Sequence, residues 1–281
     1  MKTKILMPFA IINVVLAITA AILIGFTQDK LLWTGVLLAT ASGPFYLMAV
    51  IGTGRVARTS AHLPALQLAS GAGLLISACA FLGMEMRGLS GSVALGASIF
   101  GVSFVQWYVR VFSIYHRKKS PVIVKGQQLP ELSLERLDGT PITSASFVGE
   151  KTLIVFFRGN WCPLCTAQLK EIRHRADRIS SLGVAVRFIS NQSVEKSREL
   201  TKKLYLPNNF EILYDRDLRA AKGLAIEDID GTPLGIVGFP RDTVMATVIA
   251  LDQEGRVIFG DQTDNYRVRP HPDSFLNVFD L

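Results

Sequence analysis

The sequence predicts two unlike halves: an N-terminal bundle of four transmembrane helices and a C-terminal α/β domain. Three observations predict it. Residues 1 to about 115 carry very few charges and the remainder has ordinary globular composition, so the overall 49% hydrophobic and 19% charged content is an average of two regimes. The first half holds four apolar runs, each about 20 residues or more and therefore able to cross a hydrocarbon core. The second half changes to short β-branched runs alternating with helical patterns. The predicted boundaries are a membrane region over 1–115, a basic linker over 116–125 and the α/β domain over 126–281.

The apolar runs occupy 5–26, 31–51, 63–84 and 93 to about 113. The first follows Lys2 and Lys4 like a secretory signal. It exceeds a usual signal core and lacks a clear small-x-small cleavage site, so it reads as a retained helix. Short-loop Lys and Arg set orientation. Lys2 and Lys4, Arg55 and Arg58, and Arg117, Lys118 and Lys119 fall on one side of a four-span chain, against Lys30 and Arg87 on the other. This bias predicts a multi-pass protein with both ends in the cytoplasm, as in a bacterial cell membrane.

Small residues in the stretches 39–44 and 70–73 predict close helix packing. Trp33, Trp107 and Tyr108 are expected near interfaces. Gln106 and Arg110 close the fourth run, where a long side chain snorkels. Cys79 is expected as a small buried hydrophobe and His62 as an interfacial residue.

After the break His116-Arg117-Lys118-Lys119-Ser120-Pro121, segments 132–134 and 142–143 flank the turn Leu137-Asp138-Gly139-Thr140 and predict a hairpin. A buried strand is expected over 152–157, a helix over 163–178, a strand over 184–189, a helix over 193–204 and a strand over 210–213. Two strands, 244–251 and 256–259, are joined by the turn 252–255, and a helix with Pro at its start follows at 272–279. That order gives a mixed sheet with helices on both faces.

Two of the three cysteines stand in FFRGNWCPLCT, 156–166, where a strand meets a helix. Three cysteines in 281 residues exclude a disulfide scaffold. The net charge of +7 comes with no basic stripe interleaved with aromatics, so no nucleic-acid partner is expected; the lipid bilayer explains the basic flanks. Cys162 sits where helix amides and the macrodipole stabilise a thiolate. Pro163 suits the first helical position, and Cys165 lies on the same face. The pair reads as redox-active; a zinc half-site, which lacks a second ligand pair, and a buried structural pair are the competing readings. Arg158 is read either as a cation beside the thiolate or as a solvent-facing residue after the strand.

Residues from about 128 onward resemble the thioredoxin-fold redoxins, in particular the peroxiredoxin-like branch of the alkyl hydroperoxide reductase and thiol-specific antioxidant family. The phrases that carry the resemblance are Leu129-Pro130-Glu131-Leu132-Ser133-Leu134, Leu137-Asp138-Gly139, FFRGNWCPLC with Thr166-Ala167-Gln168-Leu169, and Asp264-Asn265-Tyr266-Arg267-Val268-Arg269-Pro270.

The resemblance implies a thioredoxin-like fold and a thiol-dependent oxidoreductase with Cys162 and Cys165 catalytic and Trp161, Arg158 and Pro163 in support. It implies peroxide or a protein disulfide as substrate, a small thiol or thioredoxin-type donor, and no metal or cofactor. It nominates Cys162 by the thioredoxin pattern and Cys165 by the peroxiredoxin pattern. Arg158 and Cys162 stand where peroxiredoxins keep Pro and Thr. Ala246 stands where thioredoxin-like proteins keep a cis proline and many peroxiredoxins an arginine. Tyr266, Arg267 and Arg269 are expected on a solvated turn. Those departures leave a redox sensor, switching the membrane bundle without turnover, or a degenerate structural domain as the other classes.

Overall fold

The computed structural model describes residues 2–83, 88–234 and 236–280. The expected end of the third apolar run at Met84, and Arg87, lie outside the described residues. The chain divides into two compact units, Met1–Thr53 with Ser60–Ile114, and Gly54–Thr59 with Tyr115–Leu281. The six residues Gly54–Thr59, which connect the second and third apolar helices, are thus part of the second unit.

The first unit consists of α1 (Lys2–Phe26), α2 (Lys30–Tyr46), α3 (Pro64–Gly83) and α4 (Leu89–Trp107). Two π-helical stretches, Leu47–Ile51 and Tyr108–Phe112, extend α2 and α4. All four helices are long and apolar enough to cross a membrane. Large apolar side chains such as Ile11, Val15, Ile18, Leu68 and Leu75 are exposed on the outer faces of these helices.

Small residues line the inner faces. A Cβ on Gly73 would stand 2.4 Å from the Ala39 amide nitrogen, and one on Gly101 would stand 2.6 Å from the Ala39 carbonyl oxygen, so the backbones touch where these glycines lie. Ser77 on α3 hydrogen-bonds Ser98 on α4 at 2.7 Å, both buried. Trp33 is buried in a cluster with Ala20, Ala94 and Ala97, and Tyr108 is buried against the rings of Tyr46 and Phe112. One side chain differs from expectation. Cys79 is exposed, because α3 turns Gly73 and Ser77 inward instead.

In the second unit a seven-stranded sheet runs in the order β2-β1-β5-β4-β3-β8-β9. Its strands are β1 (Ser133–Glu135), β2 (Pro141–Thr143), β3 (Lys151–Phe156), β4 (Val184–Ser190), β5 (Phe210–Tyr214), β8 (Thr247–Leu251) and β9 (Val257–Asp261). β3, β4 and β5 are parallel, and β8 lies antiparallel to β3. The crossovers between the parallel strands carry α5 (Pro163–Arg173), α6 (Ala176–Ser181) and α7 (Val194–Leu204), as parallel pairing requires.

Ile154 and Phe156 point to one face with Ile189, Leu213, Ile249 and residues of α8 (Arg219–Gly223). The alternate set Leu153, Val155, Val186 and Phe188 is equally buried on the other side of the pleat. Each such side chain contributes about 1.5–3 kcal/mol. A sheet buried on both faces makes its strand ends rigid supports.

Two expected elements are divided. The helix expected over 163–178 breaks into α5 and α6 at His174–Arg175, which lets Arg175 and Arg178 pair with Asp273 of α9 (Pro272–Leu276). The strand expected over 244–251 is two. β7 (Thr243–Val244) pairs with β6 (Glu227–Asp228) in a separate ribbon, and the chain changes sheets at Met245–Ala246 before β8. No period in the sequence marked β6 or α8, which are too short to show one.

Candidate active site

The loop after β3 is fixed before its sulfurs are considered. The Phe157 amide continues the ladder to the Ile189 carbonyl at 2.9 Å, and the Arg158 carbonyl accepts from the Thr243 hydroxyl at 2.9 Å. The Asn160 amide donates to Gln192 Oε1, and Asn160 Nδ2 to the Lys196 carbonyl, each at 2.8 Å. Gly159 has φ +134 and lies against the Trp161 indole, which is 3.0 Å from where a Cβ would stand. That conformation and that approach both favour glycine. Cys162 then caps α5, with Pro163 in the first turn. The Thr166 amide donates to the Cys162 carbonyl.

The cysteines approach to 3.2 Å. Cys162 is 3% exposed and Cys165 is fully buried. The Cys165 Sγ accepts from the Arg158 amide at 3.4 Å and from Arg269 Nη2 at 3.3 Å. Burial acts to raise the Cys165 pKa, but the hydrogen bond from Cys162, the charge of Arg269 and the Arg158 amide outweigh it, holding the thiol well below its ordinary value. The hydrogen bond to Cys165, followed by burial, pushes Cys162 well above. The surroundings thus favour the charge on Cys165 over Cys162 when the pair loses a proton.

Arg269 places all its donor groups: Nη2 on Cys165, Nη1 on Gln168 Oε1 at 2.8 Å and Nε on the Tyr266 carbonyl at 3.1 Å. Gln168 is 1% exposed, and its Nε2 has no hydrogen-bond partner among the described residues. That leaves a buried donor beside the arginine for an incoming acceptor. A small recess lined by Tyr115, Gln168, Ala246, Tyr266 and Arg269 lies beside the same guanidinium.

Arg158 is 6% exposed, so the solvent-facing reading does not hold. Its guanidinium lies 4.7 Å from the Trp161 ring, 5.5 Å from Tyr266 and 5.8 Å from Tyr115. It pairs with Asp228 at 3.3 Å and donates to the Gly231 carbonyl, which anchors the β6 ribbon to the site. Only its amide touches Cys165. Burial pushes the Tyr115 phenol to about 12, and its oxygen accepts from the Ala246 amide at 3.3 Å. A tyrosine thus meets the backbone at the position where the expected proline or arginine is missing.

The structure brings Cys162, Cys165, Arg158, Trp161 and Pro163 to one turn. It also corrects the expectation of a solvated turn, since Tyr266, Arg267 and Arg269 are 7%, 0% and 5% exposed. Two arginines in a turn read as polar surface, whereas here one ends on a sulfur. The signal that could have found Arg269 was present in the phrase Asp264 to Pro270, whose likeness to the redoxins has no surface explanation. Tyr115, at the boundary of the apolar half, offered none.

A pair of cysteines at the start of a helix, with an arginine on one sulfur and a mixed sheet behind it, is an arrangement suited to thiol redox chemistry. The comparisons with known proteins agree. Residues 125–259 match the AhpC/TSA family. The chain is similar to the chloroplastic peroxiredoxin Q of Sedum lineare, 28% identical over 159 residues that cover 56% of this chain and 77% of that one. It is also similar to the 1-Cys peroxiredoxin PER1 of Hordeum vulgare, 30% identical over 116 residues, 39% of this chain and 53% of that one. Among solved structures it is similar to reduced Prx3 in complex with H2O2 from Vibrio vulnificus, with 19% identity, TM-score 0.48 and coverage of 56% of this chain and 98% of that one. The C-terminal domain is a peroxiredoxin-like redoxin of the AhpC/TSA family, joined to four apolar helices.

Proposed function

We propose that the protein is a membrane-anchored thiol peroxidase in which Cys165 attacks and Cys162 resolves. The observation that carries this reading is the Cys165 sulfur held between Arg269, the Arg158 amide and the Cys162 thiol. The Cys165 thiolate attacks one peroxide oxygen, the O–O bond breaks, and the departing oxygen leaves as water or alcohol after taking a proton. Arg269 and the free Gln168 Nε2 are the donors available to the peroxide oxygens. Cys165 is then a sulfenic acid. Cys162, 3.2 Å away, attacks that sulfur, forming the disulfide and expelling water. A small thiol or thioredoxin-type donor returns the pair to the dithiol.

The burial of both sulfurs favours a small peroxide over a protein disulfide as oxidant. Trp161, Arg158 and Pro163 shape the turn without reacting. In this reading the membrane region covers 1–115, the linker 116–125 and the redoxin 126–281. The basic loops favour the cytoplasmic face of a cell membrane for the redoxin.

The test is peroxide consumption by the purified full-length chain with excess dithiothreitol, followed by peptide-resolved thiol trapping. Many turnovers per chain are expected for the wild type. Cys165→Ser is expected to lose the reaction by a factor of about a thousand or more, as removal of a nucleophile does. Cys162→Ser is expected to react once and accumulate a dimedone-reactive sulfenic acid at Cys165. A single stoichiometric oxidation of the wild type that excess thiol cannot recycle would favour the redox sensor instead.

A further inference from the structure

The segment that supplies Arg269 is neither helix nor strand. Between the end of β9 at Asp261 and the start of α9 at Pro272 the chain has no regular hydrogen-bond ladder to hold it. Its position is set by other parts of the second unit, and three of the bonds that bracket Arg269 come from far away in sequence. The Thr59 amide donates to the Arg267 carbonyl at 2.9 Å, and Arg267 Nη1 donates back to the Thr59 hydroxyl at 2.9 Å. Arg58 Nη2 donates to the Pro270 carbonyl at 3.4 Å and to the Glu171 carboxylate. Glu171 belongs to α5, the helix whose first turn carries Cys165.

We propose that Arg58 and Thr59, in the loop connecting the second and third apolar helices, are positioning residues of the redoxin site. Arg58 ties the α5 carboxylate to the carbonyl immediately after Arg269, and Thr59 closes a two-bond clasp on Arg267, two residues before it. Together they set the distance between the Arg269 guanidinium and the Cys165 sulfur without touching either. A loop that reads in sequence as a cytoplasmic basic connector thereby acts on a thiolate more than 100 residues away in the chain, as the separations of 113 and 208 residues in these bonds show. The proposal rests on Cys165 being the nucleophile.

The test uses the full-length chain in detergent or nanodiscs and two readouts. One is the pH profile of iodoacetamide alkylation at Cys165, resolved by peptide mass spectrometry. The other is the rate of its reaction with hydrogen peroxide. Arg58→Ala and Thr59→Val are expected to move the alkylation profile to higher pH and to slow both reactions near neutral pH by about tenfold, the scale on which contacting residues couple. Arg58→Lys, which keeps the cation for Glu171, is expected to recover most of the rate. In an Arg269→Ala background, Arg58→Ala is expected to add little, since its route to the sulfur is already gone.

An unchanged alkylation profile in both Arg58→Ala and Thr59→Val would overturn the proposal, as would a full multiplicative loss in the Arg269→Ala background. Thr59→Val removes only one hydroxyl, so it separates positioning from loss of the fold. Alkylation needs no peroxide, so a chain that proves not to be a peroxidase still reports on the clasp.

Discussion

Cys162 and Cys165 differ by three positions and carry opposite electrostatic assignments. The surroundings push Cys162 up and Cys165 down, and the Cys165 sulfur also accepts from Arg269 and the Arg158 amide. Because the thiolate is the reactive form, alkylation of Cys165 is expected to fall as pH falls through its depressed pKa and to level off above it. Cys162→Ala removes a donor to that charge. Its falling limb is expected at higher pH than in the wild type, with Cys165 reacting roughly tenfold more slowly at neutral pH, as loss of one hydrogen bond to a charged group implies. Peptide-resolved alkylation across a pH series checks both. The two sulfurs were legible because helix capping and the C-P-L-C spacing are local. Arg269 was not, because it reaches the sulfur from 104 residues away along a segment that has no period.

At the scale of elements, the inner faces of the apolar helices are organised by glycines that meet backbone. A Cβ at Gly73 would fall 2.4 Å from the Ala39 nitrogen and 2.7 Å from the Gly35 oxygen, and neither can move without its helix. Gly73→Ala is therefore expected to destabilise the helical unit by about 1–3 kcal/mol. Gly71, two residues earlier, has open space at the same position. There alanine is expected to be neutral or to stabilise by up to about 1 kcal/mol, its advantage over glycine in a helix. Thermal unfolding of the two variants in one detergent distinguishes opposite signs from a common loss. The stripe of small residues was legible in sequence, since it needs only composition. The exposure of Cys79 and the burial of Trp33 depend on which face α3 and α2 turn inward. The first unit is apolar on every face, which erases the contrast that would have given the rotation.

For the whole molecule, charge and hydropathy separate two regimes that correspond to the two compact units, apart from six residues. The four long apolar helices are expected to keep the chain in the membrane fraction after a carbonate wash. A C-terminal reporter is expected to be active only on the cytoplasmic side, where the basic loops belong. Release by carbonate would remove the anchored reading, and an external reporter would reverse the compartment. The composition boundary near 115 was visible because it is an average over many residues. The inclusion of Gly54–Thr59 in the redoxin unit was hidden, since it depends on hydrogen bonds that span more than a hundred positions.

That inclusion also orders events in time. Chains are made from the N-terminus at about 5–20 residues per second, so Thr59 leaves the ribosome some 10–40 s before Arg267, which lies 208 residues later. Only the Thr59 half of the clasp is present while the segment it holds is still to be translated. The clasp beside Arg269 closes once the end of the chain has been made.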